Sequence, residues 1–129
     1  MDTLLQRIGG EVAVHAAVDK FYDKVFTDPL LLPFFKDTDF VKQRERQSKF
    51  LLQFMDGKMP NAGNYMRHAH QKYVHEMGLS DVHFDAVVGH LATTLRELGV
   101  SQPLIDETMA AVGSLREAVL DRPHIAAAQ

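Results

Sequence analysis

Apolar residues in this chain recur every three to four positions, and no stretch sustains the strict alternation of a strand. A short first helix is predicted to end at Gly9-Gly10. The stripe Val14, Ala17, Val18, Phe21, Tyr22 and Val25 predicts a second helix over 11–26. Asp28-Pro29 then offers a cap and a first-turn proline for a brief helical turn ending near Phe34-Phe35. Asp39 is placed to cap the next helix, expected to run to about Met55 with Phe40, Gln43, Gln47, Phe50, Leu51 and Phe54 on its inner face. Breakers fill 56–64. Helix resumes over 65–77, where Met66, Ala69, Tyr73, Val74 and Met77 define an inward stripe before Gly78. Ser80 or Asp81 opens an apolar helix with Phe84, Val87, Val88, Leu91 and Leu95 aligned, and Gly99 stops it. Ser101 and Pro103 start a last long helix with Ile105, Met109, Val112, Leu115 and Val119 facing inward. Pro123 and an alanine-rich end make 122–129 a frayed tail. The pattern is all-α, a single domain over 1–129, without repeats.

Four polar residues interrupt these apolar faces: Tyr22, Gln43, Gln47 and His70. A buried hydroxyl or amide without a partner costs roughly 1–3 kcal/mol. Either the groups satisfy one another, as in a tyrosine–glutamine bond closing a helix pair, or they converge on something outside the chain. His70 stands at the edge of its stripe, four residues after Met66. Periodicity alone favours a helix-surface histidine, the commoner case, over a metal ligand whose other ring nitrogen donates to a carbonyl.

Composition narrows the chemistry. The chain has 129 residues, 46% hydrophobic and 24% charged, with a net charge of −3, an ordinary balance for a folded domain. Basic residues are outnumbered, so no nucleic-acid partner is expected; Lys42, Arg44, Arg46 and Lys49 suggest one solvated helix face. The absence of cysteine leaves metal ligation to histidine and carboxylates. The N-terminus lacks the basic start and apolar run of an export signal, and the longest apolar stretch, 29–35, is far too short to span a bilayer. A cytoplasmic protein without a membrane partner is expected.

Of the seven histidines, His15, His83, His90 and His124 are scattered and read as structural or exposed, and His68 and His75 are rotated off the stripe that flanks His70. No Gly-x-Ser-x-Gly elbow, His-Glu-x-x-His helix, phosphate loop or calcium loop occurs.

Taken in order, several fragments resemble the truncated haemoglobins of the first group. They are Gly9-Gly10, Val18-Asp19-Lys20-Phe21-Tyr22, Pro33-Phe34-Phe35, and Lys42-Gln43-Arg44 with Gln47, Phe50 and Leu51. Gly57 and Gly63, Met66-Arg67 with Ala69-His70, and Gly78-Leu79 before His83-Phe84-Asp85-Ala86-Val87 complete the set. The resemblance spans Leu4 to about Leu120. It implies a two-over-two helical sandwich around one haem b per chain, with His70 as the proximal iron ligand. Tyr22, Gln43 and Gln47 carry over as distal hydrogen-bonders, and Phe35, Phe50, Leu51, Met66, Phe84 and Val87 as haem contacts. Dioxygen, nitric oxide and carbon monoxide are the implied ligands, and oxidation of nitric oxide to nitrate, fed by a separate reductase, is an implied activity.

Some cyanobacterial members place a second iron-ligating histidine where Arg46 stands, and an algal relative uses lysine. Arginine stays protonated and offers no lone pair, so Arg46 is expected to leave the sixth position open and to reach a haem propionate instead. Glu117 stands near the late histidine that some relatives join covalently to haem, so no such link is expected. A monomer is expected. A gas sensor and a haem-free helical binding module are the competing readings.

Overall fold

The computed structural model describes residues 2–122, and the predicted tail, with Pro123 and His124, falls almost wholly outside them. Among the described residues every regular element is helical. Thr3 caps α1 (Leu4–Ile8) in a reciprocal capping box with Gln6. Gly9 follows with φ 120°, and a Cβ there would lie 2.9 Å from the Ala13 Cβ, so only glycine lets α2 (Gly10–Val25) start so close. Asp28 accepts from the Leu30 amide and shapes the turn into a 3-10 segment, Leu32–Phe35. The Asp39 carboxylate accepts from the Val41 and Lys42 amides, both at 3.1 Å, and opens α3 (Phe40–Met55). The helices α4 (Ala62–Met77), α5 (Asp81–Glu97), α6 (Gln102–Gly113) and α7 (Arg116–Val119) follow.

Helix α2 packs against both α3 and α5, and α5 against α6. The pairs α2/α3 and α5/α6 thus form two layers, the two-over-two arrangement expected, while α4 rests on α7. Val14, Val18, Val25, Leu31 and Ile105 are almost completely buried between the layers.

Three details differ from the pattern. The last helix is two: α6 stops at Gly113, the Ser114 hydroxyl donates to the Ala111 carbonyl, and a short α7 resumes at Arg116. The apolar period runs through the break because Val112, Leu115 and Val119 all face one cavity. Helix α4 begins three residues before Tyr65, at buried Ala62, where Gly63 and Asn64 mask the helical signal. Met77 and Phe40, both expected to face inward, are each 43% exposed, Phe40 keeping one ring contact, with Phe26 at 4.2 Å.

A chain of ion pairs holds α7 onto α4 and α5. Arg67 of α4 donates to the Asp121 carboxylate at 2.9 Å and to the Arg122 carbonyl at 2.8 Å. Arg122 in turn pairs with Glu117 and Asp81.

Candidate functional site

A cavity of about 390 Å³ opens between the helix layers and α4, within the range of small-molecule sites, roughly 300–1,000 Å³. Tyr22, Phe35, Gln43, Arg46, Gln47, Phe50, Leu51, Met66, His70, Phe84 and Val87 all line it. The four polar residues singled out in the sequence therefore converge on one space.

His70 comes from the third turn of α4. Its Nδ1 lies 2.8 Å from the Met66 carbonyl. A carbonyl only accepts, so Nδ1 carries the proton and donates, and Nε2 keeps its lone pair. Burial pushes the imidazole below its ordinary 6.5, outweighing the opposite pull of the Met66 carbonyl. The ring is thus neutral at physiological pH, with one unprotonated nitrogen.

The wall supplied by α2 and α3 is polar at one spot. Tyr22 is 2% exposed, and its hydroxyl accepts from Gln43 Nε2 at 3.0 Å. Arg46 donates to Gln43 Oε1 at 2.9 Å. Burial raises the phenol above its ordinary 10.0, while the Gln43 bond and the charges of Arg46 and Arg44 act the other way. The hydroxyl keeps its proton and is a donor. Gln47 lines the cavity one turn beyond Gln43.

Of the basic residues of α3, Lys42, Arg46 and Lys49 are exposed, as a solvated face requires, and Arg44 departs from it. Arg44 is half-buried, 3.3 Å from Asp23 and with its guanidinium 5.6 Å from the Phe26 ring centre. Arg46 lies at the cavity wall, bonded to Gln43.

A match to the bacterial-like globin family model covers residues 3–121. This chain belongs to the group 1 truncated haemoglobins. The globin is 45% identical over 114 residues to a group 1 truncated haemoglobin from Synechocystis sp., covering 88% of this chain and 92% of the relative. The solved 2/2 haemoglobin of Synechococcus sp., in the cyanomet state with covalently attached haem, superposes with a TM-score of 0.86 at 45% identity, covering 94% of this chain and all of that one. Fe(III) truncated haemoglobin structures from Tetrahymena pyriformis include variants replacing one tyrosine or either of two glutamines. They match with a TM-score of 0.81 at 37% identity, over 92% of this chain and 98% of theirs.

The globin's pocket fits the family's haem on its own chemistry. Its lining is mostly apolar and holds two histidines: His83 spends its Nδ1 lone pair on the Ser80 amide, and His70, with Nδ1 turned to the Met66 carbonyl, keeps the lone pair of Nε2. Among the described residues no three histidine, cysteine, aspartate or glutamate side chains converge as a metal site. A single nitrogen donor suits an iron that arrives already held by a macrocycle. Family membership sets aside the haem-free alternative: the globin is a haem-binding protein.

Sequence reasoning missed part of the wall. Phe34, Tyr73 and His83 also line the cavity. His83, read as a structural or exposed histidine, accepts the Ser80 amide on Nδ1 at 3.0 Å and places its ring 4.8 Å from that of Phe34. The spacing Ser80-x-x-His83 is that of a capping box, with histidine in the acceptor role usually filled by glutamate or glutamine. Three other histidines make polar contacts with carboxylates. His15 approaches Glu11 at 3.4 Å, His90 pairs with Asp28 at 2.7 Å, and His75 with Asp121 at 2.6 Å. Among the described residues no helix is long and apolar enough to cross a membrane.

Proposed function

We propose that this globin reversibly binds dioxygen and other diatomic ligands, with His70 as the proximal ligand and Tyr22, Gln43 and Gln47 on the distal side. The observation that carries the reading is the division of the cavity: a lone-pair nitrogen on the α4 wall and a proton-bearing hydroxyl on the α2/α3 wall. Haem, when bound, supplies an iron centre that takes a diatomic ligand and can exchange electrons. The protein supplies the rest. Met66 orients His70, the apolar lining excludes water, and Tyr22 offers its proton to partial negative charge on the ligand. The Tetrahymena pyriformis variants support this, since the replaced tyrosine and glutamines have the same sequence separations as Tyr22, Gln43 and Gln47.

Phe35, Phe50, Leu51, Met66, Phe84 and Val87, all in the cavity lining, would pack the macrocycle, and the Arg46 guanidinium would pair with one of its carboxylates. Oxidation of nitric oxide to nitrate is a compatible activity: one nitric oxide, one dioxygen and one electron give one nitrate. That electron requires a separate reductase. The protein acts as a monomer in the cytoplasm.

Stopped-flow dioxygen dissociation tests binding, and nitrate yield with a supplied reductase tests turnover. Slow, reversible dissociation supports the first, and nitrate in step with nitric oxide consumed supports the second. A protein that takes up no dioxygen in the ferrous state contradicts the proposal.

A further inference from the structure

An amide side chain has a donating end and an accepting end, and between Tyr22 and Arg46 the two orientations of Gln43 have opposite consequences. With Nε2 toward Tyr22, as observed, the hydroxyl accepts and its own proton can point into the cavity. With Oε1 toward Tyr22, the hydroxyl would donate to Gln43 and its proton would leave the cavity. Tyr22 does not choose between these, because a hydroxyl both donates and accepts.

Arg46 does choose. A guanidinium only donates, and its terminal nitrogen holds Gln43 Oε1 at 2.9 Å from the next turn of α3. Reversing the amide would set two donors against each other beside a positive charge. Arg44 does not share this role, being engaged by Asp23 and Phe26. We propose that Arg46 is a positioning residue that works through Gln43 to keep the Tyr22 hydroxyl a donor into the cavity. This rests on the reading of Tyr22 as the distal donor, and is compatible with the remaining guanidinium nitrogens meeting a carboxylate.

The test uses the haem-loaded protein with carbon monoxide. The C–O stretching frequency falls when a donor faces the ligand oxygen, so it reports the Tyr22 proton directly. Arg46 is exposed, so Arg46→Met removes the donor without disturbing the core. Four proteins are compared: wild type, Arg46→Met, Tyr22→Phe and the double variant. Tyr22→Phe should raise the frequency, and Arg46→Met should add a band at the Tyr22→Phe position. Arg46→Met should also speed dioxygen release about tenfold, as expected for loss of a charge-assisted bond that controls the donor. In the Tyr22→Phe background Arg46→Met should add nothing. An Arg46→Met spectrum that shows the wild-type band alone overturns the proposal, as does an equal shift with and without Tyr22. If Tyr22→Phe itself leaves the frequency unchanged, the reading of Tyr22 fails and both are overturned.

Discussion

Tyr22 and Gln43 meet at 3.0 Å across a sequence separation of 21 residues, joining α2 to α3 at the wall of the cavity. The bond satisfies a hydroxyl that would otherwise be costly to bury, yet it uses only the acceptor side of that hydroxyl. The two readings open in the sequence, an internal tyrosine–glutamine pair and a donor for a ligand, are therefore compatible in one geometry.

Removing the hydroxyl should cost a ligand-facing hydrogen bond. Tyr22→Phe is expected to raise the dioxygen dissociation rate by about one to two decades, the equivalent of ~1.5–3 kcal/mol. Stopped-flow mixing with carbon monoxide measures it, and an unchanged rate removes Tyr22 from the distal role.

Leu31 is 2% exposed and lines both the core and the cavity. Leu31→Ala should therefore destabilise the apoprotein by about 2–5 kcal/mol. Urea unfolding followed by circular dichroism checks this. A loss below 1 kcal/mol, a factor of about five in the folding equilibrium, would show that the turn before the 3-10 segment collapses around the gap.

The Asp28–His90 pair should give stability an acid limb. The hydrogen bond from His90, followed by the Leu30 amide, holds the Asp28 carboxyl below its ordinary 3.8. A depressed carboxyl pKa contributes stability that is present above the unfolded value, and it is lost as pH falls through the folded value. Asp28→Asn keeps an oxygen for the Leu30 amide and removes the charge. It should lower Tm at pH 6, and the difference from wild type should shrink as pH falls below the ordinary 3.8 and through the lower folded value. Thermal melts across that range decide it; a gap that persists at low pH would point to packing instead of charge.

Arg67 connects α4 to the end of the described chain through Asp121 and the Arg122 carbonyl, beneath Leu115 and Val119 of the cavity wall. Arg67→Met should loosen 116–122 and release haem several-fold faster to excess apomyoglobin. Hydrogen exchange across that segment supplies the independent readout: unchanged protection would separate the clamp from haem retention.

The helices were legible because each buries one stripe, and period survives whatever the loops do. Their ends were less so. The α6/α7 break is invisible to periodicity, since Val112, Leu115 and Val119 serve one cavity from both sides of it. Tyr22, Gln43, Gln47 and His70 stood out because they are polar on apolar faces, a local conflict that function commonly explains. His83 did not, because on α5 it sits in the first turn, where a capping role accounts for it fully. The polarity of the Arg46–Gln43–Tyr22 chain needs three-dimensional contacts; the sequence pointed Arg46 toward a haem propionate and gave no sign of its bond to Gln43.

The imidazole of His70 is the point on which the account turns, and an absorption spectrum of His70→Ala tests it most directly. Purified wild-type protein should carry a Soret band in both ferric and ferrous states. His70→Ala should lose most of its haem, and added imidazole should restore the band by filling the space the side chain left. A His70→Ala protein that retains its haem with an unaltered ferrous spectrum would contradict the account, because another group would then hold the iron.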